Sequence, residues 1–115
     1  MSYLLLHHTG CGTSRKGLAL LQENGVEPEI RKYMNQSEQL SESELRKTAK
    51  QMGATSPREF LRDKDAAKFD LPGDADDDAV YAAMADNPRL IQRPIGIHKG
   101  KAALGRPIEK LLDIL

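Results

Sequence analysis

Tyr3-Leu4-Leu5-Leu6-His7-His8-Thr9-Gly10-Cys11-Gly12-Thr13-Ser14 is the stretch on which the fold turns. Its apolar run from Tyr3 to Leu6 is unbroken, as in a strand covered on both faces. A polar, glycine-rich loop follows, His7 to Gly12. The spacing then predicts a helix from about Thr13 to Asn24, with Leu18, Ala19 and Leu21 on its apolar face and Asn24-Gly25 as its stop. Ile30 and Tyr33 mark a second strand within Pro28 to Tyr33. Strand, helix and strand within about thirty residues form a βαβ unit, whose strands run parallel.

Beyond this unit the pattern becomes helical. Ser41-x-x-Glu44 is a capping box, followed by Leu45, Thr48, Ala49 and Met52 at helical spacing and Gly53 as the stop. Ser56-Pro57-x-Glu59 is a second box with Pro57 at the first helical position. Asp76-Asp77-Asp78 loads the start of a third helix with negative charge that suits its dipole, and Val80, Ala83 and Met84 form its apolar face. The acidic run reads as a solvated helix start and not as a metal site. Strands return at Pro94 to His98 and Ala102 to Leu104, joined as a hairpin through Lys99-Gly100-Lys101. Arg106-Pro107 opens a last helix with Ile108, Leu111, Leu112 and Leu115 as its stripe.

The order is therefore βαβ, a helical insertion over about residues 41–90, then ββα, in a single domain spanning residues 1–115. It predicts an α/β, thioredoxin/glutaredoxin-like fold with a central four-stranded mixed sheet. In that architecture a redox-active cysteine lies between the first strand and the first helix, the place that Cys11 holds.

Composition narrows the function. The chain has 17 Lys+Arg against 17 Asp+Glu, so it lacks the basic surplus of a nucleic-acid binder. Aromatic residues are 4% with no Trp, too few for base-stacking platforms. Cys11 is the lone cysteine, which rules out an internal disulfide and a cysteine-based zinc site. The N-terminal run from Met1 has no basic region and is too short for a signal peptide or a membrane span, so a cytoplasmic location is expected.

A free thiol has a pKa of about 8.5, and the thiolate is the nucleophile. A helix N-terminus lowers that pKa through free N–H groups and its dipole, and Gly12, Thr13 and Ser14 can supply those groups. The same geometry binds an oxyanion. His7 can favour the thiolate if it points into the loop. Ser14 stands where a dithiol enzyme carries its second cysteine, so any redox cycle takes its second thiol from outside. An oxyanion also calls for planar, bidentate cations. Arg62 ends the segment Phe60-Leu61-Arg62, and Arg93 and Arg106 each precede a proline near the hairpin. These arginines are expected to converge on Cys11. Arg15, Arg31, Arg46, Arg58 and Arg89 are assigned to the surface or to local pairing.

His7-x3-Cys11-Gly12-Thr13-Ser14-Arg15, Glu23-Asn24-Gly25-Val26-Glu27-Pro28, Asn87-Pro88-x-Leu90-Ile91-x-Arg93-Pro94-Ile95, and Gly105-Arg106-Pro107 with Leu111-x-Asp113-Ile114-Leu115 together resemble the glutaredoxin-linked arsenate reductase family, in its short branch. His8-Thr9 stand where family members usually carry Asn-Pro. The resemblance implies that Cys11 attacks arsenate and that glutathione and glutaredoxin complete reduction to arsenite. It further implies a thiol-tuning role for His7 and anion binding by Arg62, Arg93 and Arg106. The Arg93-Pro94 bond would match the family's cis-proline. Glutathione is then a co-substrate, no cofactor or metal is bound, and a monomer is expected, with neither nucleic acid nor membrane as partner. Two rivals are a Spx-like regulator that binds RNA polymerase and a generic glutathione-dependent thiol oxidoreductase. The first commonly uses Cys-x-x-Cys, and the second has no need of three arginines.

Overall fold

A computed structural model describes residues 2–115; Met1 of the N-terminal run lies outside them. The elements are β1 (Leu4–Leu6), α1 (Gly12–Glu23), β2 (Glu29–Arg31), α2 (Glu42–Met52), α3 (Asp63–Ala66), α4 (Asp77–Asp86), β3 (Ile95–His98) and β4 (Lys101–Leu104). Short 3₁₀ segments occupy Gln36–Glu38, Pro57–Phe60, Ala67–Phe69, Pro88–Leu90 and Ile108–Leu112. The sheet order is β2-β1-β3-β4, with β1 and β2 parallel and the β1/β3 and β3/β4 pairs antiparallel. This is the four-stranded mixed sheet of the thioredoxin-like fold. Among the described residues, no helix is long and apolar enough to cross a membrane.

Leu5 and Leu6 explain the unbroken apolar run. Successive strand residues point to opposite faces, and both are wholly buried. Leu6 joins Ile95, Tyr33, Leu45, Phe60, Val80, Met84 and Ile91 in the core beneath the helical segment. Leu5 joins Tyr3, Leu21, Leu111 and Ile114 on the other face, under α1 and the C-terminal turn.

The Ser41 box and the Gly53 stop form as read, and Asp76, expected only as favourable charge, proves to be a side-chain cap. Ser41 Oγ accepts from the Glu44 amide at 3.2 Å, the Glu44 carboxylate accepts from the Ser41 amide at 3.0 Å, and Gly53 closes α2 in the left-handed region. Asp76 accepts from the Ala79 amide at 2.9 Å at the head of α4. The hairpin turn is shorter than expected. Only Lys99 and Gly100 have positive φ, 53° and 75°, and Lys101 already belongs to β4. Two consecutive left-handed residues match a two-residue turn whose twist suits the strands, and Gly100 supplies its half without strain.

Four further readings change. The buried face of α1 is Ser14, Gly17 and Leu21, with Ala19 exposed. Gly17 is needed there because a Cβ would meet Leu111 and Pro94 side-chain atoms at 2.9 Å. The Ser56 box opens a 3₁₀ turn, Pro57–Phe60, and Arg62 lies beyond it as the N-cap of the unanticipated α3, so α4 is the fourth α-helix. The second strand shortens to Glu29–Arg31. The C-terminal stripe follows a 3₁₀ repeat of three residues. Leu111 and Ile114 are buried, three positions apart, while Leu115 is 50% exposed.

Candidate active site

The loop after β1 is closed by its own hydrogen bonds. The His7 amide donates to the Arg31 carbonyl at 3.0 Å, which extends the β1/β2 ladder by one residue. The Cys11 amide donates to the His8 carbonyl and the Arg15 amide to the Cys11 carbonyl, both at 3.0 Å. Arg15 Nη1 donates to the Thr9 carbonyl at 2.8 Å. Gly12 is exposed, and Thr13 is half-buried behind it.

Ser14 is fully buried and holds the loop from below. Its Oγ accepts from the His8 amide at 3.1 Å and lies 2.7 Å from His7 Nδ1. The Ser14 hydroxyl thus bridges the His8 amide and the His7 ring. Burial foremost, then the charges of Lys32 and Arg15, hold His7 below the ordinary histidine range. His7 is therefore a neutral, buried ring bonded to Ser14. Its reach to Cys11 runs through the loop backbone.

Cys11 is the N-cap residue of α1, in extended conformation and half-buried. Burial pushes its thiol up. The Ser14 N–H, the Arg93 guanidinium and the Thr13 N–H outweigh that effect and bring the thiol below its ordinary value.

Arg93 precedes a cis proline, Pro94. It is 9% exposed, and its guanidinium faces both Cys11 and Tyr33. Nη1 donates to the Arg89 carbonyl at 3.3 Å, and Nε has no partner among the described residues. A buried guanidinium N–H without a partner is costly, so this donor is available to an incoming acceptor.

The other two predicted arginines share a cleft whose lining does not include Cys11. Arg106 Nε donates to the Arg93 carbonyl at 3.0 Å, which anchors the backbone that carries Arg93. Arg62 Nε pairs with Asp65 at 2.8 Å. Arg62 and Arg106 line one cleft of about 280 Å³ with Leu61, Asp63, Lys64 and Gln92. Cys11 is not on its wall. The field of Arg62 still reaches Tyr33 and His8.

Sequence reasoning missed three participants. Tyr33 is wholly buried, with its hydroxyl 3.4 Å from the Ile91 carbonyl and its ring in the field of Cys11 and Arg93. Asp65 neutralises Arg62 at i+3, a spacing that could have signalled it. His8 faces Arg93, Arg89 and Arg62.

A cysteine at the head of the first helix, its thiol held low by two amides and Arg93, on this four-stranded sheet defines a thioredoxin-like thiol protein. Within that class, the chain belongs to the ArsC family, whose model matches residues 6–114. It is 39% identical to the arsenate reductase of Neisseria meningitidis serogroup A, over 96% of each chain. It is 37% identical to the arsenate reductase of Haemophilus influenzae over the full length of both. Among solved structures, the arsenate reductase from Vibrio cholerae superposes with a TM-score of 0.91 at 38% identity, covering all of this chain and 98% of that one.

Proposed function

We propose that this chain is a cytoplasmic, single-domain enzyme that reduces arsenate to arsenite. The Cys11 thiolate is the nucleophile, and glutathione and glutaredoxin are the external reductants. The observation that carries the reading is the Cys11 thiol at the start of α1, held low by two backbone amides and the Arg93 guanidinium. Those groups hold an anion at the sulfur, and they hold an oxyanion in line with it by the same geometry.

The thiolate attacks arsenic and displaces one oxygen, giving a Cys11–arsenate adduct. Arg93 meets the remaining oxygens with its unpartnered Nε. Arg62 and Arg106 guard the adjoining cleft, and Arg62 exchanges Asp65 for the anion. His7 acts on the thiol at one remove, through Ser14 and the loop. Reduction of arsenic by two electrons needs two thiols to leave as a disulfide. The chain has one cysteine, so glutathione supplies the second thiol and glutaredoxin resolves the mixed disulfide.

The test is a coupled assay of arsenate-dependent NADPH oxidation with glutathione, glutathione reductase and glutaredoxin. Turnover should require each thiol component and vanish in Cys11→Ser. Activity that persists in Cys11→Ser defeats the mechanism. Inactivity under every thiol regime, with tight binding to RNA polymerase, would favour the regulator.

A further inference from the structure

His8 lies on the Cys11 loop, three residues before the sulfur, and has no part in the steps above. Its backbone is locked on both sides: the amide donates to Ser14 Oγ at 3.1 Å, and the carbonyl accepts from the Cys11 amide at 3.0 Å. The ring folds over Gly10, where an added Cβ would lie 3.2 Å from both Cε1 and Nε2. Unlike the rings of His7 and His98, it engages no protein hydrogen bond among the described residues.

The groups around it are cationic. Arg93, Arg89 and Arg62 face it from the helical segment and the approach to β3, and His7 precedes it in the chain. The Arg93 guanidinium that faces His8 also faces Cys11 and reaches the Arg89 carbonyl. Among these arginines, Arg62 pairs with Asp65, which also lies in the field of Arg93. Burial foremost, then Arg93, Arg89, His7 and Arg62, hold His8 below the ordinary histidine range. In the free protein its ring is therefore neutral at pH 7. An oxyanion entering between the arginines and the sulfur cancels much of that positive field, and the ring then binds a proton more readily.

We propose that His8 is the general acid of adduct formation: it takes a proton from solvent as arsenate binds and passes it to the oxygen that leaves arsenic. This rests on the arsenate-reductase reading. In the step, the sulfur–arsenic bond forms with the thiolate electron pair, and one arsenic–oxygen bond breaks. The departing hydroxide receives the His8 proton and leaves as water, while arsenic stays pentavalent. The later thiol steps carry the two electrons. Without a donor, hydroxide must leave unprotonated, and a positioned acid typically accelerates such a step by about 10²–10⁴-fold.

The binding test uses the Cys11→Ala protein, which forms no adduct and leaves the α1 amides open to arsenate. Its three histidines are titrated by NMR with and without arsenate. The proton affinity of His8 should rise at least about tenfold, one decade of pH in its midpoint. His98, stacked on Tyr3, should not move. A His8 midpoint unchanged at saturating arsenate overturns the proposal and leaves the arsenate reading intact. Absence of any arsenate-induced change at Arg93 removes the arsenate reading itself. The kinetic arm uses His8→Gln, whose loop bonds are made by backbone. Its kcat should fall about 10²-fold while KM for arsenate changes little. The decline of kcat at high pH that a protonated donor imposes should also disappear. Natural kcat and pH profile in His8→Gln would refute the assignment.

Discussion

The first two long helices begin in opposite ways. At α2, Ser41 and Glu44 satisfy each other's amides, and the Glu44 carboxylate also receives both terminal nitrogens of Arg31, at 2.6 and 3.1 Å. At α1, the cap is a sulfur, the first turn holds no acidic residue, and no side-chain oxygen accepts from the free amides. The difference separates stability from reactivity. A helix start closed by its own side chains contributes to the fold. One left open contributes its donors and dipole to whatever anion arrives.

The strongest way to break that contrast is to close α1 as α2 is closed. Cys11→Ser places a good capping residue at the open start. It should lower arsenate turnover by about three orders of magnitude or more and raise stability by up to about 1 kcal/mol. The coupled assay and thermal unfolding read the two effects, and a loss of stability would mean that α1 does not behave as an uncapped helix. Next in size is Arg93→Leu. It removes a charge from the thiol, so the midpoint of iodoacetamide alkylation should climb, with the Ser14 and Thr13 amides still opposing burial. Turnover should fall about a hundredfold with it.

The converse experiment is Ser41→Ala, which opens α2. It should cost about 1 kcal/mol in denaturant unfolding and leave turnover unchanged. Turnover that fell in proportion would show the two helix starts to be coupled.

The smallest effects are in pH. Cys11, His7 and His8 all have lowered pKa values in the folded chain. In each case the unfolded chain binds more protons within the window between the two values, so stability should rise with pH there. The histidine part ends near pH 6.5 and the thiol part near pH 8.5, and Cys11→Ser should flatten only the upper part. Glu44, held down to about 2 by Arg31 first and the Ser41 amide next, gives stability that is present above about 4.3 and lost as pH falls toward its folded value. Its carboxylate side chain is 43% exposed, so solvent screening keeps that loss small. Denaturant midpoints across pH 2–9 should therefore place the α1 response near neutrality and the α2 response in acid.

Local signals were the legible ones. Ser41-x-x-Glu44 and Gly53 act within one turn of chain, and each forms as its residues predict. The Lys99-Gly100 turn and the strand–loop–helix around Cys11 are of the same kind. Less legible was whatever depended on packing. Ile108, Leu111, Leu112 and Leu115 fit an α-helical stripe, but the segment must fit under Gly17 and Gly105, where an added Cβ would meet Leu111 at 2.9 and 3.0 Å. It winds as a 3₁₀ turn that buries Leu111 and Ile114. In the candidate site, motif spacing singled out Cys11 and Arg93, whose side chains face each other in the fold. It could not reveal that Ser14 takes the His7 ring, that Asp65 takes Arg62, or that Arg106 grips the Arg93 carbonyl. Those are choices among partners, made by side-chain reach across elements distant in sequence.

Tyr33 gives the chain an optical property. There is no tryptophan, so near-ultraviolet absorption and emission come from three tyrosines. Tyr3 and Tyr81 lie elsewhere, against His98 and Arg46. The Tyr33 chromophore, sealed from solvent, shares the field of Arg93 with the Cys11 sulfur. Charge gained or lost at that sulfur perturbs its transition directly, so stopped-flow difference spectroscopy can follow the thiol through a turnover in the unlabelled protein.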